Sequence, residues 1–296
     1  MTTELFIQYL VAGITYGSIY AIVAIGFNII YNTTGIINFS QGEFVMLGGM
    51  LSITFLQYLP LAPAIFLAVL VTMGIGAAIE MLFIRWLHNP GILRMIIITI
   101  GISILIREAA LHVWGANVRA LPYFYGNEIS TISIFGARVS PQVLWVVGVC
   151  GLMVLALNAF FQGTSIGREM RACAANRVAA VLCGIDTRNM VTFSFVLSAG
   201  IGALAGAVMS PITYSQYDNG TGLAIKGFTV AILGGLGNSM GAVAGGLLLG
   251  IIEAFSVSLV PLAFQDAIAI AILLLILFIR PHGLFGSSGL AGLKEF

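Results

Sequence analysis

Runs of about 20 predominantly apolar residues recur along nearly the whole of this chain, and they decide what it can fold into. A helix of that length spans the bilayer core, roughly 30 Å thick, and satisfies its backbone hydrogen bonds within itself, as lipid demands. Composition agrees: 59% of the residues are hydrophobic and 8% charged, against roughly 25% charged in an ordinary soluble domain. A soluble globule is excluded. The expectation is an all-α polytopic membrane protein built as a single domain over residues 1–296. Spans are predicted at about 5–30, 42–59, 62–87, 92–114, 141–162, 190–212, 222–236, 240–260 and 263–280. That gives about eight or nine crossings, the short, glycine-containing segment 222–236 being the one in question. The opening MTTELF has no basic stretch and runs into an apolar segment longer than a secretory signal core, so the first span is expected to be retained.

Orientation follows from positive charge. With alternating spans, Arg85, Arg94, Arg168, Arg171, Arg177, Arg188, Arg280 and Lys294 fall on one side and Arg119, Arg138 and Lys226 on the other, with Arg107 inside a span. Lys and Arg concentrate in cytoplasmic loops, so the richer side is cytoplasmic. The N-terminus is then outside, the C-terminus inside, and the number of crossings odd. In the interval 115–140, on the outer face, alternating residues around Ile129 to Phe135 followed by Gly136 predict a small hairpin.

Several chemistries have no support. A net charge of +1 gives no electrostatic basis for nucleic-acid binding. Cys150, Cys173 and Cys183 show no C-x-x-C spacing, and His88, His112 and His282 lie far apart, so no metal site is expected. There is no G-x-x-x-x-G-K-[ST], and Lys226 and Lys294 are the only lysines, so the chain cannot hydrolyse a nucleotide through a P-loop. Neither G-x-S-x-G nor H-E-x-x-H occurs, which leaves no visible hydrolase constellation. The chain is expected to be no enzyme and to need no cofactor.

The charge that does exist is concentrated. GREMRACAANRVAAVLCGIDTR, inside the interval 164–189, carries Arg168, Arg171, Arg177 and Arg188, four of the twelve Lys and Arg residues, and separates two apolar spans. It reads as a polar helical hairpin on the cytoplasmic side that docks a partner. Ala179, Ala180 and Gly184 form an A-A-x-x-x-G pattern in which small side chains let another surface approach, and Gly184 ends or bends the helix.

Two stretches interrupt apolar helices with polar residues and glycine, Asn32 to Gly49 and Gly220 to Gly241. Unsatisfied backbone groups in lipid cost several kcal/mol each, so such breaks persist where protein buries them or where they line a watery path. Paired broken helices mark the pathway in repeat-built transporters. Asn38, Ser40, Gln41, Glu43, Gly234, Gly235 and Asn238 are the candidate pathway residues. The bland alternative is a turn at Gly35, Ser40 and Gly42, with Ser40 as helix N-cap. Glu80, Arg107, Glu108 and Glu253 sit at membrane depth and are functional candidates by default. Glu80 is close enough to a span end to snorkel, Arg107 beside Glu108 suggests an early helix end, and Glu253 is expected to face inward as a hydrogen-bonded anchor. Glycine pairs at 13 and 17, 202 and 206, 237 and 241, 241 and 245, and 246 and 250 have the spacing of close helix contacts.

The most specific stretches are GFNIIYNTTGIINFSQGEFVMLGGM (Gly26 to Met50), the run G-R-x-M-R-A-x-A-x-N-x-x-A-A-x-x-x-G-I from Gly167 to Ile185, GFTVAILGGLGNSMGAVAGGLLLGIIEAF (Gly227 to Phe255) and RPHGLFG from Arg280. On these, over nearly its full length, the chain resembles the permease subunits of branched-chain amino acid ABC importers, in the broad family that includes ribose-type sugar permeases. The resemblance implies an ABC importer permease fold with broken helices and a cytoplasmic coupling helix, in a bacterial plasma membrane. It implies a second homologous permease subunit, two cytoplasmic ATPase subunits, and a periplasmic or surface binding protein that delivers leucine, isoleucine or valine. The run from Gly167 to Ile185 corresponds to the loop that touches the ATPases, which makes Gly167, Arg168, Arg171, Asn176, Ala179, Ala180 and Gly184 its coupling residues. Many importers carry Glu before the two alanines, where this chain has Val178. Urea or short-chain amides are the alternative cargo. An ion-coupled secondary transporter fits less well, since the intramembrane carboxylates are scattered rather than clustered.

Overall fold

Long apolar helices with glycine-lined crossings explain the architecture in a computed structural model, which describes residues 3–87, 91–127, 129–134, 137–258, 261, 264–280 and 283–285. The order is α1 (Thr3–Thr34), α2 (Gln41–Leu56), α3 (Leu61–Ile79) continuing as a π-helical turn (Glu80–Ile84), α4 (Ile92–Trp114), β1 (Ile132–Ile134), β2 (Ala137–Val139), α5 (Gln142–Gly163), α6 (Ser165–Ala175), α7 (Arg177–Leu182), α8 (Thr187–Thr213), α9 (Asn219–Gly234), α10 (Ser239–Ser256) and α11 (Gln265–Ile279). Six of these are long and apolar enough to cross a membrane: α1, α3 with its π turn, α4, α5, α8 and α10. The apolar helices α2 and α11 are shorter. At 16 residues α9 is only about 24 Å long, below the thickness of a bilayer core. The nine apolar helices coincide with the nine predicted segments.

α1 and α8 are the central helices. From Gly17 to Ile30 every residue of α1 is buried, and α8 is buried throughout Ser198 to Ala203. α1 lies antiparallel against α10 through glycine: a Cβ on Gly17 would fall 2.7 Å from the Gly246 carbonyl oxygen, and one on Gly13 would fall 2.7 Å from Ile251 Cα. Gly202 meets α2 at Phe44, Gly206 meets it at Val45, and Gly245 meets α9 at Leu233. In lipid, association depends on packing and polar contacts, and side-chain-free faces let backbones approach closely.

The strands β1 and β2 pair antiparallel, Ile132 with Val139 and Ile134 with Ala137. This is the hairpin expected between α4 and α5, although its turn, Phe135 and Gly136, lies outside the described residues. Lys294, His88 and His282 lie outside them as well. At the opposite end of the bundle, α6 and α7 form the polar hairpin. Each turn is capped: Thr164 Oγ1 accepts from the Gly167 amide at 3.0 Å, Asn176 Oδ1 from Ala179 at 3.0 Å, and Asp186 Oδ1 from Arg188 at 3.0 Å. Caps of this kind satisfy donors that a helix start leaves unpaired, each worth about 1 kcal/mol. Gly184, at φ +82°, closes α7 in a left-handed conformation that a side chain resists.

Two sequence expectations change. Arg107 and Glu108 do not end a helix, because α4 continues to Trp114. Ser40 makes no capping bond with its side chain; its hydroxyl instead donates to Asn38 Oδ1 at 2.6 Å.

Candidate functional site

Both broken stretches converge on α1. The first break, residues 35–40, follows Gly35 at φ +71° and delivers α2 into the bundle interior. Gln41, fully buried, donates through Nε2 to the Ser198 carbonyl at 3.2 Å, and Ser198 donates to the Gly26 carbonyl at 2.8 Å. α2 therefore starts against the middle of α1 and α8. The second break, Gly235 to Asn238, joins α9 to α10 and is gripped by asparagines of α1. Asn28 Nδ2 donates to the Asn238 carbonyl at 3.1 Å, Asn28 Oδ1 accepts from the Gly237 amide at 3.0 Å, and Asn32 Nδ2 donates to the Gly237 carbonyl at 2.9 Å. Asn238 Oδ1 also caps α10 by accepting from Gly241 at 3.0 Å. Gly234 and Gly241 pack backbone to backbone, and the Leu284 amide closes on the Leu233 carbonyl at 2.8 Å.

Of the candidate pathway residues, Asn38, Ser40, Gln41 and Glu43 form one buried group at the first break, while Gly234, Gly235 and Asn238 belong to the second. The two groups are bridged through α1 and do not share one lining. Glu43, in the first turn of α2, is fully buried and accepts from Ser103 Oγ at 2.9 Å and from Thr221 Oγ1 at 3.5 Å. Thr221 lies in the first turn of α9, so the carboxylate sits between two helix N-termini, whose dipoles favour negative charge. Neither Ser103 nor Thr221 was singled out from sequence; they lie 60 and 178 residues from Glu43, with no local pattern to link them.

A cavity of about 330 Å³ runs from the exposed Arg177 and Arg188, beside the hairpin, to Thr99 and the buried Asn38. Its wall includes Glu80, which is buried and does not snorkel: Thr192 Oγ1 donates to its carboxylate at 2.7 Å.

A second polar group joins four helices, with Glu253 buried at its centre and Asp266 exposed at its edge. Glu253 of α10 accepts from Tyr20 Oη of α1 at 2.7 Å and pairs with Lys226 Nζ of α9 at 3.3 Å, while Lys226 also pairs with Asp266 of α11 at 3.1 Å. The inward-facing, hydrogen-bonded carboxylate is as expected, and Lys226 is the partner that sequence did not reveal.

The hairpin divides its residues between two roles. Arg168, Arg171, Asn176, Ala179 and Gly184 are exposed. Gly167 and Ala180 are not. A Cβ on Gly167 would fall 2.7 Å from Phe161 Cα, and Ala180, 3% exposed, packs in the main apolar cluster with Met170 and Cys173. Both hold the hairpin onto its own chain, so their small size serves internal packing. The exposed apolar side chains are Val178, Val181 and Leu182, at 71%, 55% and 83%. Val178 stands where many importers carry Glu, while no local pattern marks Val181 or Leu182 as surface residues.

Comparison with known proteins adds the family. The model of the "Branched-chain amino acid transport system / permease component" family matches residues 9–277. The chain is 35% identical over 295 residues to the high-affinity branched-chain amino acid transport system permease protein BraD of Pseudomonas aeruginosa, covering 95% of this chain and 96% of that one. It is 32% identical to the permease protein LivH of Escherichia coli K12 with the same coverage, and 27% identical to a probable LivH of Methanocaldococcus jannaschii over 92% of this chain and 90% of that one. A polytopic helical chain, broken at two buried positions and matched along almost its whole length, therefore belongs to the branched-chain amino acid transport permease family.

Proposed function

We propose that this chain is a membrane-spanning permease subunit of an ATP-driven branched-chain amino acid importer. Its similarity to BraD over 95% of its length carries this reading, since a match that complete spans both the broken helices and the hairpin. The chain supplies part of the pathway and no engine, because it has no P-loop. Its partners are a second permease subunit, two cytoplasmic ATPases and a binding protein that delivers the amino acid; surrounding lipid covers the remaining apolar surface. It resides in the bacterial inner membrane with its N-terminus outside and the hairpin, residues 164–189, and C-terminus in the cytoplasm.

The hairpin is the coupling element. Arg168, Arg171, Asn176, Ala179 and Gly184 lie on its exposed surface with the apolar Val178, Val181 and Leu182. An exposed apolar patch rimmed by charge is the expected form of a protein contact. Gly167 and Ala180 keep that patch rigid against α5 and the core. Closure of the ATPases moves the hairpin, which rocks the helices between two access states. Asn38, Ser40, Gln41, Glu43, Gly234, Gly235 and Asn238 line or shape the route at the two breaks.

The test is uptake of radiolabelled leucine into proteoliposomes holding this chain, its partner permease, the ATPases and the binding protein. ATP-dependent accumulation with the full set, and none when the ATPases are omitted, is expected. Accumulation against a gradient by the chain alone would overturn the assignment.

A further inference from the structure

Glu43 Oε2 is buried and has no hydrogen-bond partner among the described residues. A buried carboxylate oxygen without a hydrogen-bond partner from the protein is costly, and each such atom asks for an explanation. The oxygen points at the first turn of α9, where a Cβ on Gly220 would fall 2.5 Å from it, and Gly42 packs against the Gly220 backbone. Only glycine at these positions leaves the acid at the junction of the two short helices.

A positive charge stands nearby. Arg107 Nη1 donates to Thr221 Oγ1 at 3.3 Å, and Thr221 is the same residue whose hydroxyl reaches Glu43 Oε1. Acid and base thus face one another across a single hydroxyl and form no direct ion pair. Arg107 belongs to a polar stripe on α4, with Ser103 and Thr99 one and two turns away on the same face. Ser103 donates to Glu43, and Thr99 accepts from the Phe39 amide at 3.3 Å and lines the roof of the cavity that reaches the hairpin. Asn38 Nδ2, also in that roof, is the neighbouring buried atom without a partner. Two of the three buried side-chain atoms without a partner among the described residues, Asn38 Nδ2 and Glu43 Oε2, therefore lie beside this stripe, the third being Glu253 Oε1 in the other polar group.

We infer that Glu43 and Arg107, spaced by Thr221 at the start of α9, form a binding point for the zwitterionic head of an α-amino acid, the ammonium on Glu43 and the carboxylate on Arg107. The inference rests on the importer reading and gives it a residue-level substrate class. Opposite charges separated by the width of one hydroxyl match a zwitterion and offer nothing to a neutral amide such as urea, whose transfer would leave both charges unsatisfied. The apolar side chain of the substrate then lies among the apolar residues around the stripe.

The experiment uses the assembled importer in proteoliposomes and reads leucine moved per ATP hydrolysed. Glu43→Gln keeps the size and the acceptor for Ser103 but removes the charge, and Arg107→Gln does the same for the base. Each is expected to lower that ratio by about tenfold or more, the loss of one charge-assisted hydrogen bond. Ser103→Cys in a background with no other cysteine gives a second readout independent of those variants. Leucine during turnover is expected to slow modification of this thiol by a cationic methanethiosulfonate severalfold, and urea at equal concentration is expected not to. Ratios within about twofold of wild type for both charge variants, or modification of Ser103→Cys at one rate with and without leucine, overturn the inference. A wild-type complex that hydrolyses ATP and imports no leucine overturns the importer reading itself, and the inference with it.

Discussion

The crossing of α1 and α10 is where the fold has least room, and it gives the sharpest prediction about stability. At Gly17 an added Cβ would fall 2.7 Å from the Gly246 oxygen and 2.8 Å from Leu247 Cα. Both are backbone atoms of α10, and neither can rotate away. Carbon contacts settle near 3.5–4.0 Å, so Gly17→Ala must push the helices apart by about 0.5–1 Å. Overpacking of this kind costs about 1–3 kcal/mol. Alanine also gains roughly 0.5–1 kcal/mol of helix propensity over glycine, which obscures the cost in a single variant. Gly74→Ala in α3 removes the ambiguity, since nothing lies within 4 Å of its Cβ and it gains the same propensity. The difference between the two variants isolates the crossing. Thermal unfolding of the purified protein in detergent is expected to place Gly17→Ala below Gly74→Ala by a midpoint shift equivalent to about 1–3 kcal/mol. Equal midpoints would refute the argument that glycine sets the distance between α1 and α10.

Three further outcomes follow from burial and pairing. Ala180→Glu buries a carboxylate in the hairpin's own core and is expected to expose residues 164–189 to protease, whereas Leu182→Ser, 83% exposed in wild type, should leave stability within about 0.5 kcal/mol and weaken co-purification with the ATPases. Lys226→Met strips Glu253 of its cation and should cost about 3–5 kcal/mol in the same unfolding assay, most of it recovered by adding Glu253→Gln. Maleimide is expected to label Cys183 first, because it is exposed, while Cys173 is buried and burial pushes its thiol above the ordinary cysteine range, so less thiolate is present at any pH below that point; mass spectrometry of the labelled peptides reads the order.

Apolar run length carried the helices. Every predicted span has its helix, because burial against lipid acts locally and a run of about 20 apolar residues has few alternatives. A turn was legible where a residue has one strong use, as with Gly184, whereas the cap at Asn176 was not singled out. Pairings across the chain were not legible. Lys226 and Glu253 are 27 residues apart on different helices, Asn28 and Gly237 are separated by 209, and nothing in either neighbourhood announces the other. The hairpin shows the same limit at short range. Ala179 and Ala180 are adjacent and chemically identical, yet one is exposed and one buried, because the phase of α7 against the core is set by Met170 and Cys173 on α6.

Docking of the ATPase on the hairpin is the step on which the functional account depends, and a cross-link tests it most directly. Leu182→Cys, in a chain lacking Cys150, Cys173 and Cys183, is incubated in membranes with the ATPase subunits and a short thiol-to-amine cross-linker. The account predicts a covalent adduct of permease and ATPase from Leu182→Cys and none from Asn127→Cys, in the interval between α4 and α5. An adduct from Asn127→Cys and none from Leu182→Cys would contradict it.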